Sequence, residues 1–290
     1  MRYTRVSAVV GLGLLVASCA TDLPVSVERA ERVLPPDASV YLAARSEHLQ
    51  ALIGDVVRAF ELDADEVDDI IGDSDRLVAS VGSEGNGGAL TAAASGSYPG
   101  GRIRFGLTLS RAWRRTSVET EVSSRPYFQE RDGLGQLAVP SNRLVLFANG
   151  GMEDTVRRAA TDSSANDAVS LDPDAELSVL LPEIGDRIRA LLPRRAQNVP
   201  LEHIEVNVRY DESNIPLPFE VYGRIGLADE RGARVFSVIA RLVIGNLAEG
   251  VPLSALSVER SGETITFSGL PADEQRLREW ISGFLDGLKT

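Results

Sequence analysis

The chain has 290 residues, 43% apolar and 25% charged, with a net charge of −12. That is the profile of a globular protein long enough for two ordinary domains, and a body this acidic repels nucleic acid and anionic lipid headgroups except at local basic patches. One cysteine, Cys19, and two histidines, His48 and His203, exclude a disulfide framework and a zinc site of three or four His or Cys ligands.

The first element in chain order is a leader. Arg2 and Arg5 precede an apolar run from Val6 to Ala17 that is too short to span a bilayer and ends in small residues and Cys19, the layout of a secretory signal. Val16-Ala17-Ser18-Cys19 resembles the lipobox of bacterial lipoprotein precursors. The resemblance implies cleavage before Cys19, diacylation of its thiol and acylation of the new amino terminus. Ala20, where an aspartate is the inner-membrane signal, implies delivery to the outer membrane facing the periplasm, or to the outer face of the cytoplasmic membrane in a single-membrane organism. Residues 1–18 are then the signal peptide, and 19–35 the lipidated cysteine and a polar tether. Losing Arg2 and Arg5 with no acid takes the mature chain to −14.

Pro36-Asp37-Ala38 opens a strand over Ser39–Ala43, followed by a helix from Ser46 to Phe60 with Leu49, Leu52, Ile53, Val56, Val57 and Phe60 at helical spacing. Val67, Ile70 and Ile71 mark a second short helix inside an acidic stretch. Leu77–Val81 and Ala89–Gly96 read as strands about a Gly-rich turn. Ile103, Phe105, Leu107, Leu109 and Trp113 read as a helix, and 116–125 as a polar loop. Strands at Tyr127–Glu130, Leu134–Val139 and Arg143–Ala148 lead to a helix at Met152–Ala160. The polar segment 161–171 is the best linker.

The order then begins again. Pro173-Asp174-Ala175 echoes Pro36-Asp37-Ala38 and opens a strand at Glu176–Leu181, followed by a helix near Glu183–Leu192. His203–Tyr210 and Phe219–Ile225 alternate as strands. Asp229–Ile244 carries the helical stripe Val235, Val238, Ile239, Leu242 and Val243, Leu256–Arg260 and Thr264–Ser268 form a hairpin, and Pro271–Leu288 is a final helix with Leu277, Trp280, Ile281, Phe284 and Leu285 facing the core. The expected fold class is α+β: two similar β-α-β-β-α-β-β units in tandem, 36–160 and 172–290, with mainly antiparallel or mixed sheets and helices packed on one face. In layout the body resembles uncharacterised bacterial envelope lipoproteins with duplicated α/β repeats, a likeness that brings no site residues with it.

No pattern singles out a catalytic, cofactor or metal site. No G-x-S-x-G elbow accompanies either histidine. The acidic stretch Glu61–Asp75 fails the EF-hand pattern at Val67 and Asp68, and reads as a solvated face. Gly133-Leu134-Gly135-Gln136-Leu137-Ala138 matches a dinucleotide fingerprint in letters only, because strands flank it. Arg111, Arg114 and Arg115 around Trp113, with Arg194 and Arg195, are the basic clusters, and read as acid-paired surface arginines. The expectation is a non-enzymatic, lipid-anchored envelope protein that binds a protein partner or envelope component through its paired repeats, with the groove between them as the functional surface. A carboxylate-based envelope hydrolase acting on glycans, or a hydrophobic-ligand carrier, is the alternative.

Overall fold

The computed structural model describes residues 30–59, 72–82, 89–120, 123–161, 169, 171–184, 189, 197, 199–214, 216–247 and 256–289. The leader with Cys19, the acidic stretch to 71, Arg194 and Arg195, and nearly all of the helix expected at 183–192 lie outside them.

The first half supplies strands β1 (Ala38–Arg45), β2 (Ser74–Gly82), β3 (Leu90–Gly96), β4 (Trp113–Glu119), β5 (Ser124–Glu130), β6 (Gln136–Ser141) and β7 (Leu144–Ala148). The second supplies β8 (Leu177–Leu181), β9 (Leu201–Tyr210), β10 (Phe219–Leu227), β11 (Ser257–Ser261) and β12 (Thr264–Ala272). All twelve join in one sheet of order β11-β12-β10-β9-β8-β1-β2-β3-β7-β6-β5-β4, and each described pairing is antiparallel. The fold is thus α+β around a single large antiparallel sheet.

Period-two alternation divides the sheet into two faces. Val40 and Ala44 of β1, Leu77 and Ala79 of β2, Ala92 and Ala94 of β3, and Val145 and Phe147 of β7 point to the front, where the larger core lies. Tyr41, Ala43, Val78, Ala93, Leu144 and Leu146 point to the back. Strands buried on both faces lose the alternating pattern and read as continuous apolar runs, which is why β1 and β7 are so plain in the sequence. Small residues of β3 meet large ones of β7, Ala93 opposite Leu146 and Ala92 opposite Phe147, so the two rows interdigitate.

The front carries helices α1 (Ser46–Ala59), α2 (Gly100–Leu109), α4 (Glu230–Leu247) and α5 (Glu274–Lys289). In α1, Leu49, Leu52 and Ile53 are buried, as their spacing requires, and the helix packs on α5, β1 and β2. Helix α3 (Met152–Ala160) lies on the back with a short 3-10 turn at Ala30–Val33. Helices therefore cover both faces, not one. The back of the first half is apolar through Tyr41, Val78, Leu144 and Leu146, and water cannot satisfy it. The Tyr41 hydroxyl donates to Pro35 O at 2.7 Å and accepts from Ala38 N at 3.1 Å, fixing the entry of the chain into this layer.

The expected helix through Trp113 ends at Leu109, because Ser110 adopts extended backbone (φ −68°, ψ 136°). Trp113–Glu119 is instead a strand, where a polar loop was expected from 116. As a sheet edge it keeps only Val118 fully buried and is otherwise polar, which hides its alternation.

Leu146, 0% exposed between β3 and β6, and Leu134, 74% exposed in the β5–β6 turn, give a direct contrast. Leu146→Ala is expected to lower unfolding free energy by roughly 2–5 kcal/mol, and Leu134→Ala to change it by no more than about 0.5 kcal/mol, both read by urea denaturation.

Candidate functional site

Two front helices bury one row and expose another. In α2 the start is fixed by Gly100, where a Cβ would crowd Asn142 Oδ1 and Val139, so only glycine lets the helix begin this close to β6. Ile103 and Leu107, one turn apart, turn down onto the core. Arg102, Phe105 and Leu109 then lie on the opposite side, with Phe105 66% and Leu109 67% exposed. Beyond the helix, Arg111 is exposed, Trp113 packs half-buried against the core, and the turn bearing Leu134 stands beside the indole.

In α4 the buried row is Ala233, Phe236, Ala240 and Ile244. Arg231, Arg234, Val235, Val238, Arg241 and Leu242 form the outward row. Val235, Val238 and Leu242, expected in the core-facing stripe, are about 60% exposed instead. Two alanines let the helix lie close on the sheet, and that contact wins over the row of larger aliphatic side chains. Both rows are apolar at helical spacing, so the sequence alone does not say which is inward.

Of the arginines expected to be acid-paired, Arg111, Arg114 and Arg115 show no ion pair among the described residues, and the arginines of the two rows are like them. Among the described residues Arg102, Arg111, Arg115, Arg231 and Arg234 have no carboxylate within ion-pair distance. Arg114 donates to Gln129 Oε1 at 2.7 Å, and Arg241 to Val258 O at 3.1 Å. The guanidinium charges of each row are therefore not neutralised by direct ion pairs among the described residues.

Where a groove between the repeats was expected, the described residues bring the two halves into direct contact. β1 and β8 pair directly, Tyr41 with Leu180 through Ala44 with Leu177. In front of this joint, His48 of α1 stacks on Tyr210 with ring centroids 4.0 Å apart, and Tyr210 meets Phe219 edge-on at 5.4 Å. His48 Nδ1 lies 3.2 Å from Glu176 Oε2, close enough for an ion pair when the ring is protonated but not aligned as a hydrogen bond. His203 sits on the back of β9 with its ring against Gly226, where a Cβ would collide with it. The two histidines thus lie on opposite faces and share no site.

Behind the joint a buried polar chain crosses three strands. Ser178 Oγ donates to Asn207 Oδ1 at 2.7 Å, Asn207 Nδ2 donates to Glu205 Oε1 at 2.9 Å, and Arg224 Nε donates to Glu205 Oε2. Tyr222 donates to Asp172 Oδ2 at 2.8 Å, tying the segment before β8 to β10. The two most buried acids, Glu176 and Glu205, each face a base. Among the described residues no group of three or more His, Cys, Asp or Glu is placed to hold a metal ion, and no helix is long and apolar enough to cross a membrane.

No family model and no curated sequence relative matches the chain. In fold it is similar to TP0453, whose crystal form III superposes with a TM-score of 0.62 at 15% identity, over 89% of this chain and 99% of that one. Form IV gives 0.57 at 16% identity over 88% and 96%, and form I gives 0.61 at 15% identity over 90% and 98%. The likeness spans both halves and is one of fold.

Burial pushes the Tyr98 and Tyr222 hydroxyls up to about 12, with Asp172 adding to the effect at Tyr222. Both are neutral in the folded and unfolded chain below about pH 10. Between pH 10 and 12 the unfolded chain ionises them while the fold resists, so stability falls as pH rises through that window. Tyr98→Phe with Tyr222→Phe is expected to flatten this fall, measured as denaturation midpoints against pH.

Proposed function

We propose that the chain is a lipid-anchored bacterial envelope protein whose body is seated on the membrane surface by α2 and α4, acting there as a binding protein and not as an enzyme. The observation that carries this reading is the outward row of Phe105 and Leu109 on one helix, and of Val235, Val238 and Leu242 on another, each flanked by arginines without acid partners. Apolar residues rimmed by arginine on a helix surface match the interfacial plane of a bilayer. Each of these side chains contributes roughly 1–2 kcal/mol on leaving water, and each arginine about 1 kcal/mol near anionic lipid. The rows act within a screening length, so the −14 of the mature chain opposes them only weakly.

Lipidation at Cys19 is the partner of this surface. Ten residues, 20–29, separate Cys19 from Ala30, where the described body begins on the back layer, giving eleven Cα–Cα steps. Their reach of up to about 40 Å exceeds the thickness of three stacked layers at roughly 10 Å spacing. An anchor entering from the back therefore still allows the front to meet the same membrane. Two weak attachments on one molecule reinforce each other.

The duplication is part of the same reading. From the central pair β1 and β8, each half runs outward through three adjacent strands, and its later strands return from beyond the third: β1-β2-β3-β7-β6 against β8-β9-β10-β12-β11. Helices α2 and α4 both follow the third strand of their half. The two exposed rows thus occupy equivalent places, as a tandem copy of one membrane-facing unit requires. Glu205, held by Asn207 and Arg224, supports a binding role over a carboxylate hydrolase.

Vesicle flotation tests the reading. Cys19→Ser, which removes the anchor, is expected to leave a body that still binds vesicles rich in anionic lipid and is released by high salt. Adding Phe105→Asp and Val238→Asp is expected to weaken that binding at least about tenfold. A Cys19→Ser body that stays free of anionic vesicles at low salt overturns the seating role. An unacylated Cys19 in the mass of the native protein overturns the anchor.

A further inference from the structure

The two edges of the sheet are not equivalent. At one end β11 is five residues long. The pair Ser261–Thr264 closes its two-residue turn and is bonded inward, so Val258, three residues away, presents its carbonyl outward. Arg241 of α4 occupies that carbonyl.

At the other end β4 has no strand on its outer side among the described residues. Arg131 N donates to Ala112 O at 2.8 Å, and with Trp113 opposite Glu130 this sets the alternation of the ladder. The even-numbered residues of β4 bond to β5, while the N–H and C=O of Trp113, Arg115, Ser117 and Glu119 point outward. Pro126, opposite Ser117, has no N–H and fits that alternation. Among the described residues nothing pairs with these outward groups. Helices α2 in front and α3 behind both pack on β4 and β6, so they lie over β5, inward of the edge.

We propose that β4 is the docking edge for a second copy of this chain, pairing antiparallel with its own β4 about a two-fold axis through Ser117 and normal to the sheet. Opposed residues in such a ladder share a face, and their bonding groups must point at each other. Axes through odd-numbered residues, centred on a bonded pair, and through even-numbered ones, centred on a non-bonded pair, both meet these conditions, but within β4 the even ones set no opposite charges across the ladder. An axis through Arg115 sets Arg115 against Arg115 of the second copy, and one through Glu119 sets two glutamates together. The axis through Ser117 sets Arg115 opposite Glu119 of the second copy, twice by symmetry, with Thr116 opposite Val118 of the second copy behind. Opposite charges directly across a ladder favour a register and like charges oppose it, so the charge pattern selects this one.

Such a contact is smaller than the interface of a stable soluble dimer, and two acidic bodies repel. The pairing is therefore weak in solution and strengthened where copies are confined to one surface. An axis normal to the sheet also keeps α2 and α4 of both copies on the same side, which suits one membrane; that clause rests on the proposed function, and the pairing itself does not.

The test is disulfide capture. Directly opposed, mutually bonded residues sit about 5.5 Å apart at Cα, within disulfide range. Ser117→Cys in the full-length protein in its native membrane is expected to give a covalent dimer under mild oxidation, with exposed Thr108→Cys on α2 giving about tenfold less. Adding Arg115→Glu should cut the Ser117→Cys product about tenfold, and adding Glu119→Arg to that variant should restore it. Equal capture at Thr108, or indifference to the charge reversal and its rescue, overturns the proposal. Repeating the series on the Cys19→Ser background in concentrated solution separates the two readings. The same rescue pattern there supports pairing whether or not the body sits on a membrane, and its absence in both settings overturns pairing alone.

Discussion

The antiparallel ladder between β1 and β8 is the contact on which the rest of the molecule depends. It joins strands far apart in sequence and makes two half-sheets one. Arg45 N donates to Glu176 O and Glu176 N to Val208 O, both at 2.8 Å, so the ladder continues into β9 without a break. The joint is braced on both faces. In front, His48 and Glu176 meet beside the Tyr210 stack, and α1 of the first half packs on α5 of the second. Behind, Arg76 binds Glu31 at 2.7 Å and Pro173 O at 3.1 Å, gathering the entry segment and the segment before β8 onto one guanidinium. A long-range contact of this kind is entropically costly to form, and the double bracing sets it in place.

The two faces of the sheet then take different fates. In the first half both are apolar, and helices cover both. In the second half the back carries Ser178, Asn207, Glu205 and Arg224 bonded in one chain, Arg209 bonded to Glu220, and Tyr222 bonded to Asp172. An antiparallel sheet tolerates a polar face only if its groups are satisfied, and cross-strand pairs satisfy them. On the front of β10, Gly223 lies opposite Val206, where any Cβ would run into the backbone oxygen of Glu205 and the Phe267 ring.

Apolar side chains left outward have a cost in water that stability alone does not explain. Isolated exposed hydrophobics are ordinary, but rows on two helices at matching places in two halves, each flanked by unpaired arginines, form a surface. The proposed β4 edge lies at the α2 end of the sheet and α4 packs on β10, β11 and β12 at the other, so the strand margin and the helix tops are separate surfaces.

Much of this was legible in the chain itself, because burial on both faces forces apolar runs, and one-sided burial forces spacing. Leu49, Leu52 and Ile53 placed α1, the run at Leu144–Ala148 placed β7, and the Ser261-Gly262-Glu263 turn, with φ +60° at Gly262, placed the last hairpin. The count of acids and the scarcity of histidine are likewise properties of composition alone. Three matters were decided only in three dimensions. Trp113–Glu119 is a strand because β5 lies beside it, and an edge strand shows too little burial to leave a pattern. Helices occupy both faces because the back of the first half is also apolar, which is visible only once register assigns each side chain to a face. In α4, two apolar rows compete for the core, and Ala233 and Ala240 take it over Val235, Val238 and Leu242. Periodicity fixes that a helix has faces; closeness of approach to the sheet decides which one turns inward.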